Sequence, residues 1–239
     1  MSRPVALVGN RLVLAGAVGY LLEWVAIIVA GVGVPLGAAA SGHDVAAAYA
    51  GHADSLGWAA GWFSVVLLGR VVLVAGLRSA LAASGRPHPL MDVAVAAMAV
   101  SVALEIAVYT VAAGAAWSLA HGGSLATVRT LDAVSFQANQ ALYGPIGVSV
   151  LCAAVAMWRS QLFPRVLAGL GVVAGAVLSV LGLAVVAPRF AGLADTFSAA
   201  ALLMWVWMLW SGVVCWRSGA RAESGNRAGE ELRQSAVLG

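Results

Sequence analysis

Twenty-five consecutive residues, Leu12 to Leu36, carry a single charge, Glu23, and comparable apolar runs recur five more times along the 239-residue chain. As a helix, an apolar run of about 20 residues crosses the roughly 30 Å hydrocarbon core of a bilayer. Inside that core backbone polar groups must be satisfied within a helix or a closed barrel. A barrel strand shows alternating hydrophobicity over about 10 residues, whereas these runs are continuously apolar. The chain therefore reads as all-α: a polytopic membrane protein with six transmembrane helices in three hairpins. Composition agrees. Only 10% of residues are charged and 62% are hydrophobic, where soluble domains carry roughly a quarter charged residues. Mean hydropathy is +0.94.

The expected spans are 11–36, 58–82, 91–118, 134–158, 165–187 and 196–216, within a transmembrane domain of residues 1–216. Polar turn sequences separate them, such as SGHD, SGRPHP, HGG and RSQLFPR. The first run resembles a secretory signal but is about twice as long as a signal core and contains Glu23, so it reads as a retained helix. All 13 basic residues are arginine. With the N-terminus inside, ten lie in inner segments and two, Arg129 and Arg189, in outer ones. That asymmetry places both termini in the cytoplasm, with the polar tail 217–239, and the protein in a cell membrane as a multi-pass protein. The longest outer loop, 37–57, contains a candidate short helix, DVAAAYAGHADS. Cys152 and Cys215 fall in apolar runs and read as core residues, not as a disulfide.

Arg70 sits within GWFSVVLLGRVVLVAG, residues 61–76. A charge at that depth is costly unless paired or wetted. Glu23 and Glu105 are the two other deep charges. At about 1.5 Å rise per residue, all three reach a similar level. Gly16, Gly19, Tyr20, Ala26 and Ala30 share the face of Glu23, which suits close helix packing. Ser101, Glu105 and Tyr109 form a polar stripe at i, i+4 spacing. The expected site is a buried Arg70–Glu23–Glu105 cluster. With both glutamates ionised its charge is −1, and a proton on one of them removes the excess.

The fourth span adds QANQALYGP, with Gln137, Asn139, Gln140 and Tyr143 as candidate solute contacts and Pro145 as a helix breaker. In the sixth, MWVWMLW offers Trp205, Trp207 and Trp210 as walls of an apolar pocket. Gly171, Gly175, Ser179 and Gly182 form a packing stripe in the fifth. His43, Asp44, His52, Asp54, His121, Asp132 and Asp195 fall at outer ends, lack metal-ligand spacing, and read as solvated surface. No histidine lies within a span to hold haem. There is no nucleotide loop, nucleophile elbow or zinc-protease helix. No metal or cofactor is expected, and the small net charge of +3 points to no nucleic acid partner.

The stretch Ala141 to Val177 contains RSQLFPR, in which Arg159, Ser160, Pro164 and Arg165 form an RS-x-x-x-PR turn between two helices. It resembles a bacterial family of six-helix integral membrane proteins known only as a domain of unknown function. The resemblance implies the architecture and supplies no substrate or catalytic residue.

Three functional readings remain open. The first is binding or transport of a small lipophilic or weakly charged solute at the cluster. The second is an intramembrane enzyme of the isoprenoid cyclase or lipid-modifying type, with Glu23 or Glu105 as general acid. The third is a structural or accessory membrane subunit. The lipid bilayer is the expected partner. Six spans are few for a self-contained transporter, so transport calls for a homo-oligomer or a membrane partner.

Overall fold

The computed structural model describes residues 10–31, 35–185 and 200–220, and no strand occurs among them. The helices are α1 (Arg11–Leu21), α2 (Glu23–Ala30), α3 (Gly42–Tyr49), α4 (Ala53–Val66), α5 (Leu68–Ala83), α6 (Leu90–Ala120), α7 (Leu125–Ala141), α8 (Tyr143–Ser160), α9 (Arg165–Val185) and α10 (Ala200–Ala220). Three pairs, α1–α2, α4–α5 and α7–α8, are near-continuous rods interrupted at one leucine each. They join α6, α9 and α10 to give six helical segments long and apolar enough to cross a membrane. Large apolar side chains stay exposed along these rods, including Ile28, Val65 and Leu183. Such exposure is what a lipid solvent allows. The architecture is that of a multi-pass membrane protein.

The ends of the segments differ from the sequence expectation. The first stops at Ala30 and not at residue 36, because Gly31 adopts a left-handed C-cap with φ of 59°. The second begins at Ala53 and the third runs Leu90–Ala120. The fourth starts nine residues early, at Leu125, where the Ser124 hydroxyl caps the helix by accepting from the Thr127 N–H at 3.1 Å. The sixth continues to Ala220, so the first residues of the expected tail are helical. The side chain of Ala30 lies outside the described residues, as do Arg3, Arg189, Asp195 and the tail beyond residue 220.

Small residues let the rods approach closely. α1 packs along α5, α6 along α4, α7 and α8, and α8 along α9. A Cβ placed on Gly69 of α5 would stand 2.6 Å from the Gly16 carbonyl oxygen and the Tyr20 nitrogen of α1. The backbones there touch, as small-residue interfaces in lipid permit. Hydroxyls add interhelical hydrogen bonds: Ser135 donates to the Val108 carbonyl at 2.8 Å and Ser149 to the Ala94 carbonyl at 2.7 Å. At the turn before α9, Gln161 is left-handed and the Leu162 N–H donates to the Ser160 hydroxyl.

Replacing Gly69 with Val should force α1 away from α5 and cost about 1–3 kcal/mol, the range for overpacking. Gly57→Ala, where an added Cβ meets nothing within 4 Å, should leave stability unchanged or slightly raised. Thermal unfolding in detergent checks both.

Candidate functional site

Arg70 on α5 is 1% exposed. Its Nη2 donates to Oε2 of Glu105, which stands at the midpoint of α6. The Arg70 guanidinium carbon also lies 4.8 Å from the centroid of the Tyr20 ring on α1, a cation–π contact. The Arg70 Nε–H is buried with no acceptor among the described residues. Glu23, the first residue of α2, is buried and interacts electrostatically with both Arg70 and Glu105, and with the Tyr20 hydroxyl. The structure thus joins Arg70 to Glu105 directly and sets Glu23 beside the pair without a salt bridge of its own among the described residues.

Each of the three interrupted rods breaks next to this cluster. At Leu22 the helix tightens: the Leu22 N–H donates to the Gly19 carbonyl at 3.2 Å, and the Val25 N–H to the Leu22 carbonyl at 3.1 Å. These i to i−3 bonds are the 3₁₀ pattern. The Leu22 carbonyl also accepts from the Trp62 indole N–H at 2.8 Å. At Leu67 the same tightening carries Arg70, whose N–H donates to the Leu67 carbonyl at 3.2 Å. The third break, at Leu142, precedes Tyr143 and Pro145. Proline has no N–H, so the Ala141 carbonyl loses its normal partner. The leucine breaks at 22 and 67 had no Gly or Pro signal at the breaking residue. Only Pro145 announced its break.

The aromatic candidates divide. Tyr109 stacks on Phe63, with centroids 3.8 Å apart, and lies within electrostatic range of Glu105, Glu23, Arg70 and Tyr143. Tyr143 feels the same charges. Tyr20, which the sequence marked only as sharing the face of Glu23, belongs to the cluster itself. Trp205 reaches it: the indole N–H donates to the Tyr20 hydroxyl at 3.4 Å, and the ring meets Trp24 edge-on at 5.0 Å. Trp207 faces elsewhere. It is fully buried with its indole nitrogen against Gly171 of α9. Trp210 is 37% exposed. The three tryptophans of this helix thus sit in different surroundings: Trp205 against Tyr20 and Trp24, Trp207 buried against Gly171, and Trp210 partly exposed.

The polar run of α7 also splits. Gln137 is exposed and lines a groove of about 620 Å³ beside Gly37 and Arg129. Asn139 is half-buried, and Gln140 is buried with an unpartnered Oε1. No hydrogen bond among the described residues ties any of the three to the Arg70–Glu105 pair.

Asp132 overturns its reading as solvated surface. It is fully buried and accepts three hydrogen bonds: from Leu36 N–H at 3.0 Å, Gly37 N–H at 2.7 Å and the Tyr49 hydroxyl at 2.7 Å. The polar start of α7 hid this role, since nothing local marks which aspartate a distant loop will cover. The anchor fastens the 35–40 loop and α3 over α6 and α7, where Val45, Tyr49, Leu56, Ala112 and Val128 form a second small core. Burial and the Asp132 carboxylate push the Tyr49 phenol well above its usual range, so it stays a donor. At the start of α3, the Ser41 hydroxyl donates to Asp44 at 2.7 Å and holds that exposed carboxyl below its usual range. His43, His52 and Asp54 are exposed. His121 is exposed and stacks on Trp117 at 4.2 Å. Among the described residues no group of three His, Cys, Asp or Glu could hold a metal.

Asp132→Ala orphans three donors and should cost on the order of 3 kcal/mol, with Tyr49→Phe costing about 1 kcal/mol. Hydrogen exchange should quicken at residues 36–49 in both variants and remain unchanged around Arg70.

Comparison of the chain with family models, with curated proteins and with solved structures returned no match.

Proposed function

We propose that this chain binds a small lipophilic or weakly charged solute at the Glu23–Arg70–Glu105 cluster and carries it through the bilayer. The observation that supports the reading most is the coincidence of helix breaks at Leu22 and Leu67 with the cluster residues Glu23 and Arg70, and of a third break at Leu142 with Tyr143, which lies within electrostatic range of the cluster. Interrupted spans that meet near mid-membrane are where solute and coupling-ion sites form, and a short 3₁₀ stretch inside a long helix is a common hinge. Arg70, neutralised by Glu105, keeps an Nε–H with no acceptor among the described residues. Glu23 is the carboxyl available to gain and lose a proton. Tyr109 and Tyr143 supply phenols that orient the solute.

The arginines support an orientation with both termini cytoplasmic. Arg11, Arg78, Arg86, Arg159, Arg165 and Arg217 fall at one end of the rods and Arg129 at the other. The packing of α1 on α5 and of α6 on α7 and α8 suits three consecutive hairpins. A second copy or a membrane partner would complete a transport path.

Infrared difference spectra during pH steps test this reading. A carboxyl band that changes with pH should appear in the parent and vanish in Glu23→Gln. The absence of any titrating buried carboxyl would leave the cluster a static clasp. Arg70→Met alone should cost about 3–5 kcal/mol by orphaning Glu105, and adding Glu105→Gln should recover most of it.

A further inference from the structure

Resting on the cluster as a solute site, we propose that its solute is a lipophilic monovalent organic cation, admitted from the bilayer between α2 and α10 and exchanged for one proton on Glu23. Charge comes first. Arg70 and Glu105 answer each other. Glu23 is a third ionisable group at the same place with no direct salt bridge among the described residues. Buried from water, its carboxylate calls for one compensating positive charge. A proton supplies it, and so does a bound cation.

Aromatic surfaces say which kind of cation. Trp24 on α2 is 38% exposed on the outer surface of the bundle. It meets Trp205 of α10 edge-on, Trp205 donates to the Tyr20 hydroxyl, and the Tyr20 ring lies on Arg70 beside Glu23. A chain of aromatic side chains, joined by an edge-on contact and an N–H to hydroxyl hydrogen bond, thus leads from the bilayer side to the spare carboxyl. Ring faces attract diffuse organic cations. Hard metal ions instead need cages of oxygen ligands, and none is built here among the described residues. Apolar substituents suit access through lipid.

The groups facing Glu23 are Tyr20 on its own rod, Arg70 on α5, Glu105 and Tyr109 on α6, and Tyr143 on α8. α10 contributes Trp205, which does not titrate. Glu105 is held by Arg70, which leaves Glu23 to trade its proton. In the exchange the Glu23 O–H bond breaks, the oxygen keeps the electron pair, the proton leaves to water, and the cation takes its place against the carboxylate.

The test uses the full chain in detergent, titrated with tetraphenylphosphonium and with triphenylphosphine oxide, a neutral molecule of similar shape. Binding is read by calorimetry and proton release by an indicator dye in weak buffer. Tetraphenylphosphonium should bind at least about tenfold more tightly than the oxide and release about one proton per site. Its Kd should rise about tenfold for each pH unit of acidification where release occurs, the signature of one linked proton. Glu23→Gln should abolish both effects and Glu23→Asp should keep proton release. Trp205→Ala should weaken binding about tenfold without changing the proton count. Equal binding of the oxide with no proton release overturns the cation while leaving the solute site standing. Unchanged tetraphenylphosphonium binding in Glu23→Gln overturns the exchange. Failure of both probes to bind overturns the proposal, and together with a silent carboxyl spectrum it removes the site reading as well.

Discussion

A guanidinium inside an apolar bundle allows only those packings that bring it an acceptor. Arg70 meets that condition through Glu105, and the consequences spread along three rods. α5 is already held against α1 by the contact of Gly69 with Gly16. Pairing then fixes the rotation and height of α6, and Tyr20 closes the third side with its ring. The pair need not stabilise the fold in total, since desolvating two charges offsets much of their attraction. What it does is penalise any arrangement that separates them.

Two buried carboxylate centres occur among the described residues, and their contrast separates anchoring from chemistry. Asp132 accepts from three neutral donors, two of them backbone N–H groups of one loop. It is saturated and holds α3 and its loop in place. The Glu23–Arg70–Glu105 centre is unsaturated: one N–H has no acceptor, and one carboxyl has no ionic partner among the described residues. It is also the place where regular α-helical hydrogen bonding is interrupted in three rods. Spare hydrogen-bond capacity beside local backbone irregularity is the setting in which a proton or solute can change the state of a site at low cost.

The spans were legible because the hydrocarbon thickness sets a length that sequence displays directly. Their ends were less so. Apolar residues continue to Leu36, but the left-handed Gly31 ends α2 at Ala30. Residues 125–133 are helical although too polar to signal a span. The charged cluster was readable from depth alone, since Glu23, Arg70 and Glu105 stand at matching heights. Its aromatic shell was only partly readable. Trp205 and Trp207 look equivalent in sequence, yet one reaches Tyr20 and the other fills the space above Gly171. The burial of Asp132 depends on a loop about ninety residues away in sequence, beyond any local pattern. The breaks at Leu22 and Leu67 likewise arise from packing and not from a breaking residue.

Function or clasp is decided by removing all three charges together, which avoids leaving any one of them orphaned. Thermal unfolding in detergent would be compared between the parent and the variant carrying Glu23→Gln, Arg70→Met and Glu105→Gln. The present account predicts a variant at least as stable as the parent, because close packing holds the rods and the charges serve the solute. A loss of several kcal/mol would contradict it and make the cluster a structural fastening.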